Sequence, residues 1–159
     1  MKKLSLKHKI ALVELVVFVA IVIWFLAPRS LDRTIRDFDP AAVTEVQAQL
    51  TAFNGQEGRV TLSQGEAAFD QLLSLLDSKK YIPYYLERDA QRSIALDYKV
   101  QLHFTQGAAD YTYTFSGDRA IDLTGDGAAK TYQVTDSDVF QQSVLDFLLE
   151  QEYTKLEVN

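Results

Sequence analysis

The sequence predicts an α+β protein: an N-terminal transmembrane helix, then an antiparallel sheet meander with two amphipathic helices packed on one face. Three patterns in the 159 residues indicate this fold. An apolar run near the N-terminus is long enough to span a bilayer. Several later stretches alternate apolar and polar residues, and two others repeat apolar residues with helical spacing. The chain has no cysteine, which excludes disulfide bonds and cysteine–zinc sites.

The apolar run, Ile10–Ala27, contains a single charged residue, Glu14. As a helix it would be about 27 Å long, close to the thickness of the hydrocarbon core. A cleaved secretory signal is the alternative, but the run is long for one, and Pro28 follows it without a small-residue cleavage site. We therefore expect an uncleaved anchor. The four lysines among the first nine residues predict a cytoplasmic N-terminus, and Trp24 suits the outer interface.

These features divide the chain into a basic cytoplasmic tail (1–9), a transmembrane anchor (10–27), a stalk (28–38) and an extracytoplasmic α+β domain (39–159). The domain is long enough to bury one core. From Asp39 onward the chain has 19 acidic and 9 basic residues, a net charge of −10. This negative charge argues against nucleic acid as a partner and against adsorption on anionic lipid, since both need positive charge.

The first element of the domain has two interpretations. Residues 43–53 fit one apolar face of a helix, but residues 46–52 also alternate with a period of two. The alternation runs directly into Asn54-Gly55, a dipeptide typical of hairpin turns, and then into a second strand-like stretch, Arg59–Ser63. We favour a β-hairpin.

Two helices are predicted in the domain. Ser63–Lys80 begins with a capping-box pattern formed by Ser63 and Glu66, and its apolar residues have i, i+3, i+4, i+7 spacing. A closing helix should begin at Asp136-Ser137-Asp138, whose side chains suit an N-cap and first turn. Its buried stripe would be Phe140, Val144, Phe147 and Leu148.

The remaining strands lie between these helices. Tyr81–Glu87 is predicted to be extended, and Pro83 confines it to a sheet edge or a bulge because proline cannot donate to the ladder. The strongest alternation is in Leu96–Thr105. Turn residues then separate three shorter strands, around Tyr111–Phe115, Ile121–Leu123 and Lys130–Thr135.

Catalytic chemistry is not expected. His103, the single histidine after the anchor, falls on the polar face of a predicted strand. No serine lies in a nucleophile-elbow or glycine-rich oxyanion sequence, and no phosphate loop or dinucleotide fingerprint is present. We expect a non-enzymatic protein without a cofactor, and an envelope hydrolase is the least favoured alternative.

Asp122, Thr124 and Asp126, followed by Gly127, imitate the first half of a calcium-binding loop. The bidentate acid of the twelfth position is missing, because Gln133 stands there. A turn between two strands explains the same residues. We favour the turn and keep the three oxygen-bearing residues as weak metal-ligand candidates.

Four residues are candidates for contact with a partner. Tyr81, Tyr84 and Tyr85 could stack on a sugar ring of cell-wall glycan or border an edge that accepts a partner strand. The favoured alternative is that they fill the interface between sheet and helices. Glu14 could contact a polar group on a partner helix, but its shallow depth also lets the carboxylate reach the interface, which we favour.

The order of these elements resembles a known kind of protein. The hairpin TAFNGQEGRVTLS, the helix EAAFDQLLSLLDS, the sheet segments ALDYKVQLHF and DYTYTFSGDRAIDL, a YQV strand and the helix DSDVFQQSVLDFLLEQ follow one another. This layout is similar to that of small membrane-anchored extracytoplasmic domain proteins of Gram-positive, clostridial-type bacteria. The resemblance implies a cell-surface setting and an α+β fold, and it brings no catalytic residues. The chain differs from lipid-anchored members in lacking a lipobox cysteine.

Together these expectations describe a single-pass protein of the cell membrane. Its extracytoplasmic domain would bind an envelope protein or a cell-wall component. The alternative is a domain that senses or binds a small ligand, calcium included.

Overall fold

The computed structural model describes residues 6–52, 54–85, 98–115, 120–125, 128–151 and 154–156. Within these ranges the α-helices are α1 (Leu6–Leu26), α2 (Ala67–Asp77) and α3 (Ser137–Leu149). Short 3-10 turns lie at Leu31–Arg33 and Pro40–Ala42. The strands are β1 (Glu45–Ala52), β2 (Glu57–Ser63), β3 (Tyr81–Pro83), β4 (Tyr98–Gln106), β5 (Ala109–Phe115), β6 (Ala120–Gly125), β7 (Ala128–Val134) and β8 (Thr154–Leu156).

All eight strands form one antiparallel sheet in the order β3-β7-β6-β5-β4-β1-β2-β8. The predicted meander is present from β4 to β7, and the predicted α+β class is confirmed. The order also contains three crossings. The chain passes from β2, near one edge, to β3 at the opposite edge, then from β3 past three strands to β4, and later from β7 to β8.

The favoured strand interpretation of residues 46–52 is confirmed. Every second residue of β1 is buried, and β1 pairs with β2 in register from Glu45↔Ser63 to Thr51↔Glu57. Gly55 takes a positive φ of 86° in the connecting turn, a conformation that glycine adopts without strain. The side chain of Asn54 accepts a hydrogen bond from Gln56 N at 3.0 Å, which closes the turn.

The first and last of these crossings explain why α2 and α3 lie on the same face of the sheet. Helix α2 joins β2 to β3 and helix α3 joins β7 to β8, so each helix runs between opposite edges over the same inner face. The predicted stripe of α3 is buried there, as are Phe69, Leu72 and Leu76 of α2. Both amphipathic helices therefore pack as expected.

Helix α2 begins later than predicted, at Ala67 instead of Ser63. Ser63 is the last residue of β2 and pairs with Glu45, while Gly65 takes a positive φ of 95° that breaks the helix. One half of the capping box is present, because Ser63 N donates to Glu66 Oε2 at 2.9 Å. Asp136 is the N-cap residue of α3 as predicted, but its backbone is left-handed, with a φ of 54°, and its side chain makes no capping hydrogen bond.

The segment 28–38 does not extend away from the domain as the expected stalk. Leu31, Ile35 and Phe38 are buried in the core. The ring of Phe38 packs edge-on against Phe104 and Tyr111, with centroid distances of 5.5 and 5.0 Å. These three apolar residues have i, i+4, i+7 spacing, which marks one buried face. The folded unit therefore includes this segment.

Hydrogen bonds from three strands hold the same segment in place. The Tyr132 hydroxyl donates to Thr34 O, and the Tyr111 hydroxyl donates to Asp37 O at 3.1 Å. The Gln106 amide also donates to Asp37 O, at 3.0 Å, and accepts from Asp39 N at 2.9 Å. Since buried backbone groups need partners, these bonds fix the path of the chain over the inner face.

Helix α1 contributes nothing to this core. Lys7–Leu26 is long and apolar enough to cross a membrane, with a mean hydropathy of 2.6, and none of it is buried. A secretory signal passes the same test of length and composition. Only Ala27 and Pro28 separate the helix from Arg29, whose backbone N–H and C=O both bond Tyr81 of β3 at 2.8 Å.

Candidate functional site

The outer face of the sheet carries no helix in the part of the chain that the structure describes. Most strand residues that point away from the core are polar and partly exposed, and Ile82 and Ala129 are apolar exceptions. Cross-strand register places one row of them side by side across β1 and β4 to β7, and this row is Gln49, Gln101, Thr114, Asp122 and Thr131. Arg59 of β2 lies next to the end of the row, paired with Gln49. At about 4.8 Å per strand the row is roughly 19 Å long.

A second row runs parallel to the first, two residues further along each strand. It consists of Gln47, His103, Thr112 and Thr124. We call the two rows together the open face. Amides and hydroxyls each donate and accept hydrogen bonds, and they make up seven of the nine side chains. Such a surface can bind a neutral, hydrogen-bonding ligand over several strands.

His103 is exposed on the open face, as the sequence predicted for its strand. Its neighbours across the sheet are Gln47 and Thr112, and its Nδ1 lies 3.3 Å from Thr112 Oγ1. Neither neighbour is a carboxylate that could orient the imidazole for general-base chemistry. The arrangement is therefore that of a hydrogen-bonding surface residue.

The three candidate tyrosines lie in different environments. Tyr81 is fully buried, its hydroxyl donates to Leu76 O at 2.8 Å, and its ring packs edge-on against Tyr113 and Tyr132. Burial raises the pKa of both the Tyr81 and the Tyr113 hydroxyl, so both rings stay neutral. Tyr81 is thus a core residue, in line with the favoured interpretation, and it cannot contact a partner.

Tyr84 and Tyr85 are closer to solvent. Tyr84 is half-buried, and its backbone N donates to Thr131 O at 2.9 Å, which places it beside the end of the first row. Because Tyr81 and Pro83 point inward and Ile82 points outward, alternation puts the Tyr84 ring on the side of the open face. Tyr85 follows with 68% of its surface exposed.

The β3 edge is closed to an added strand. The outward N–H and C=O of Tyr81 are hydrogen-bonded to the backbone of Arg29. The next residue whose backbone groups point outward is Pro83, which has no N–H. Strand addition needs a series of free backbone groups along an edge. The suggestion that this edge accepts a partner strand is therefore wrong, since its outward donors are blocked or missing.

The calcium candidates belong to a hairpin. Asp122 and Thr124 lie in β6 and pair with Thr131 and Ala129 of β7, and Asp122 Oδ1 accepts a hydrogen bond from Thr131 Oγ1 at 2.8 Å. Alternate residues of a strand are about 6.8 Å apart, whereas a calcium loop wraps its ligands around one ion at 2.3–2.6 Å. Asp126 lies outside the described residues. Within those residues, no group of three or more acidic, histidine or cysteine side chains could hold a metal ion.

Glu14 lies on α1 with its side chain exposed, like the rest of that helix. Its contact with a partner helix stays a prediction. The open face, by contrast, was missed as a site. Its signal was present in the sequence as glutamines and threonines at alternate positions of β1, β4 and β5, but the register that brings them into rows comes only from the fold.

Comparison with protein-family models, with curated proteins and with solved structures gave no match. The function is therefore inferred from the geometry of the open face and of α1.

Proposed function

We propose that the chain is a single-pass membrane protein whose non-enzymatic extracytoplasmic domain binds cell-wall glycan through the open face. The observation that carries this proposal is the row of hydrogen-bonding side chains, four amides and hydroxyls and the Asp122 carboxylate, with Tyr84 beside its end. Glycan chains are elongated and rich in hydroxyl groups. These hydroxyls can donate to and accept from amide and hydroxyl side chains and can donate to a carboxylate.

A glycan fits this face better than an envelope protein does. Protein interfaces have an apolar core with aromatic anchors, whereas the nine side chains of the open face are polar and are bordered by the small apolar Ala129 beside Thr124. In addition, the β3 edge cannot extend the sheet into a partner. A small ligand, the second alternative from the sequence, is less well supported, because the open face is broad and the inner face is filled by the core.

Membrane anchoring is supported by the length, hydropathy and complete exposure of Lys7–Leu26. An apolar helix whose side chains are left exposed by the domain is stable where lipid surrounds it. The lysines before the helix favour a cytoplasmic N-terminus and an exported domain, in agreement with the cell-surface setting that the resemblance implies.

Orientation can be tested with single cysteines, since the natural chain has none. Val139 is 65% exposed on α3, so Val139→Cys should react with a membrane-impermeant maleimide on intact cells. Lys3→Cys is the control and should react only after lysis. The reverse pattern would place the domain in the cytoplasm and exclude wall glycan as its ligand.

Glycan binding can be tested by co-sedimentation of the full chain, in non-ionic detergent, with purified cell-wall sacculi. Gln101 and Thr114 are direct cross-strand partners in the centre of the open face. Hydrogen bonds contribute about 0.5–1.5 kcal/mol each, so the double variant Gln101→Ala/Thr114→Ala should weaken binding roughly 5- to 160-fold.

The matched control is Gln142→Ala, which removes an exposed amide from α3 on the opposite side of the sheet. It should bind like the natural chain. Equal binding by the double variant and the control, with both folded by circular dichroism, would remove the open face as the glycan site. A partner protein in place of glycan would appear as binding to envelope extracts but not to sacculi.

A further inference from the structure

A cleft of about 480 Å³ lies where α1 meets the domain. Its walls come from the end of α1, from the segment after it and from the turn before β3. The charged side chains of the lining are Arg29, Arg33 and Lys80, and Trp24 and Ser30 lie beside them. No carboxylate is among the lining residues. On a domain with a net charge of −10, this is a local concentration of positive charge.

Among the residues that the structure describes, none of these three cations forms a short ion pair with a carboxylate. Arg33 lies 4.0 Å from Asp32, with 79% of its side chain exposed, a geometry that contributes little in water. Lys80 is exposed, whereas Arg29 is partly buried and its side chain is hydrogen-bonded to the hydroxyl of Tyr132. Guanidinium and ammonium groups around one cleft are the donors that bind phosphate oxygens.

The depth of the cleft relative to a bilayer follows from α1. Its apolar residues end at Leu26, so this residue would mark the edge of the hydrocarbon core. The headgroup layer extends about 5–7 Å beyond that edge. Residues 27–33 would then lie in the headgroup layer, and Trp24 would take the interfacial position that an indole prefers.

We propose that this cleft binds the phosphate of an anionic phospholipid from the leaflet in which α1 ends. This rests on the proposed membrane anchoring, and it is independent of glycan binding. The acyl chains would lie along the end of α1 beside Trp24. The phosphate would sit between Arg33 and Lys80, with Arg29 behind it.

The test uses Trp24, the only tryptophan of the chain, as a reporter of neighbouring lipids. The full chain is reconstituted in phosphatidylcholine vesicles that contain the same small mole fraction of either brominated phosphatidylcholine or brominated phosphatidylglycerol. Bromine quenches indole fluorescence at short range. We expect stronger quenching by phosphatidylglycerol, and we expect the preference to decrease with salt.

The informative variant is Arg33→Gln/Lys80→Gln, since both side chains are exposed and neither contributes to the core. A cation near an anionic surface contributes up to roughly five-fold in affinity. The double variant should therefore lose most of the preference. Arg36→Gln is the matched control, because Arg36 lies in the same segment, is not part of the cleft lining and has 88% of its side chain exposed.

The outcomes separate the two proposals. Absence of quenching by either lipid would show that α1 does not enter the bilayer and would overturn the anchoring proposal. Equal quenching by both lipids, or a preference that survives in the double variant, would overturn the cleft assignment alone. A preference that inorganic phosphate abolishes, but that sodium chloride at the same ionic strength does not, would assign the cleft to free phosphate in place of lipid.

Discussion

The burial of Phe38 gives the sharpest test of the structure. As part of a free stalk, Phe38 could be replaced by alanine with a change of no more than about 0.5 kcal/mol in the free energy of unfolding. In the structure its side chain is 4% exposed and packs against Phe104 and Tyr111. Removing a buried phenylalanine ring costs about 3–5 kcal/mol. The two interpretations therefore differ by several kcal/mol in the expected loss of unfolding free energy.

The assay is urea unfolding of the full chain in non-ionic detergent, followed by the near-ultraviolet circular dichroism of the tyrosines. Phe38→Ala should shift the midpoint to lower urea with little change in slope. In thermal unfolding the same loss would lower Tm by roughly 10–20 °C for a domain of this size. Arg36→Ala, two residues away and exposed, is the control and should match the natural chain.

A Phe38→Ala midpoint equal to that of the control would refute the packed segment and restore the stalk. Truncation gives an independent check. A soluble chain that begins at Pro28 retains Leu31, Ile35 and Phe38, and it should fold. One that begins at Asp39 lacks all three, and it should be unfolded or aggregated.

Three further predictions follow from single contacts. Gly125→Ala should destabilise the domain by about 1–3 kcal/mol in urea unfolding, because a Cβ there would lie 2.5 Å from the Tyr111 ring. Stability should fall above about pH 10, where the unfolded chain loses tyrosine protons that buried Tyr81 and Tyr113 keep. The slope is up to about 1.4 kcal/mol per pH unit for each tyrosine, and Tyr113→Phe should reduce it in urea unfolding across this range. Pro83→Val would add a single outward N–H to the β3 edge while Tyr81 stays bonded to Arg29, so size-exclusion chromatography should show the same elution as for the natural chain, and added association would contradict the closed edge.

Local patterns predicted the fold class and most of the elements. The alternation in β1, β4, β5 and β7 gave the correct strands and the correct buried faces. Pro83 gave the correct edge position for β3, because the lack of an N–H excludes proline from an interior ladder. Such signals depend only on neighbouring residues, and a single sequence contains them in full.

The features that the sequence did not predict depend on distant residues. The packing of segment 28–38 requires Tyr111, Tyr132 and Gln106, which lie about 70 to 100 residues further along the chain. Its apolar spacing was visible, but the interleaved arginines and aspartates suggested a solvated spacer. The strand order and β8 likewise depend on long crossings that local propensity does not encode.

The same distinction applies to the site. Tyrosines beside a proline were noticed because aromatic residues are conspicuous in a sequence, and one of them, Tyr81, belongs to the core. The open face consists of common glutamines and threonines, each unremarkable in the sequence. Only the register between β1, β4, β5, β6 and β7 aligns them into rows.

The packed segment also limits where the proposed glycan binding can take place. Eleven extended residues would let a stalked domain move up to about 36 Å from the bilayer. Instead, Arg29 is hydrogen-bonded to β3, and only Ala27 and Pro28 lie between it and the last residue of α1. The domain would therefore lie directly on the membrane. A unit of about 130 residues has a radius of gyration of roughly 14 Å and a diameter near 36 Å. The open face would then reach only the innermost wall material, and a lipid phosphate in the cleft would add a second attachment that restricts rotation of the domain about α1.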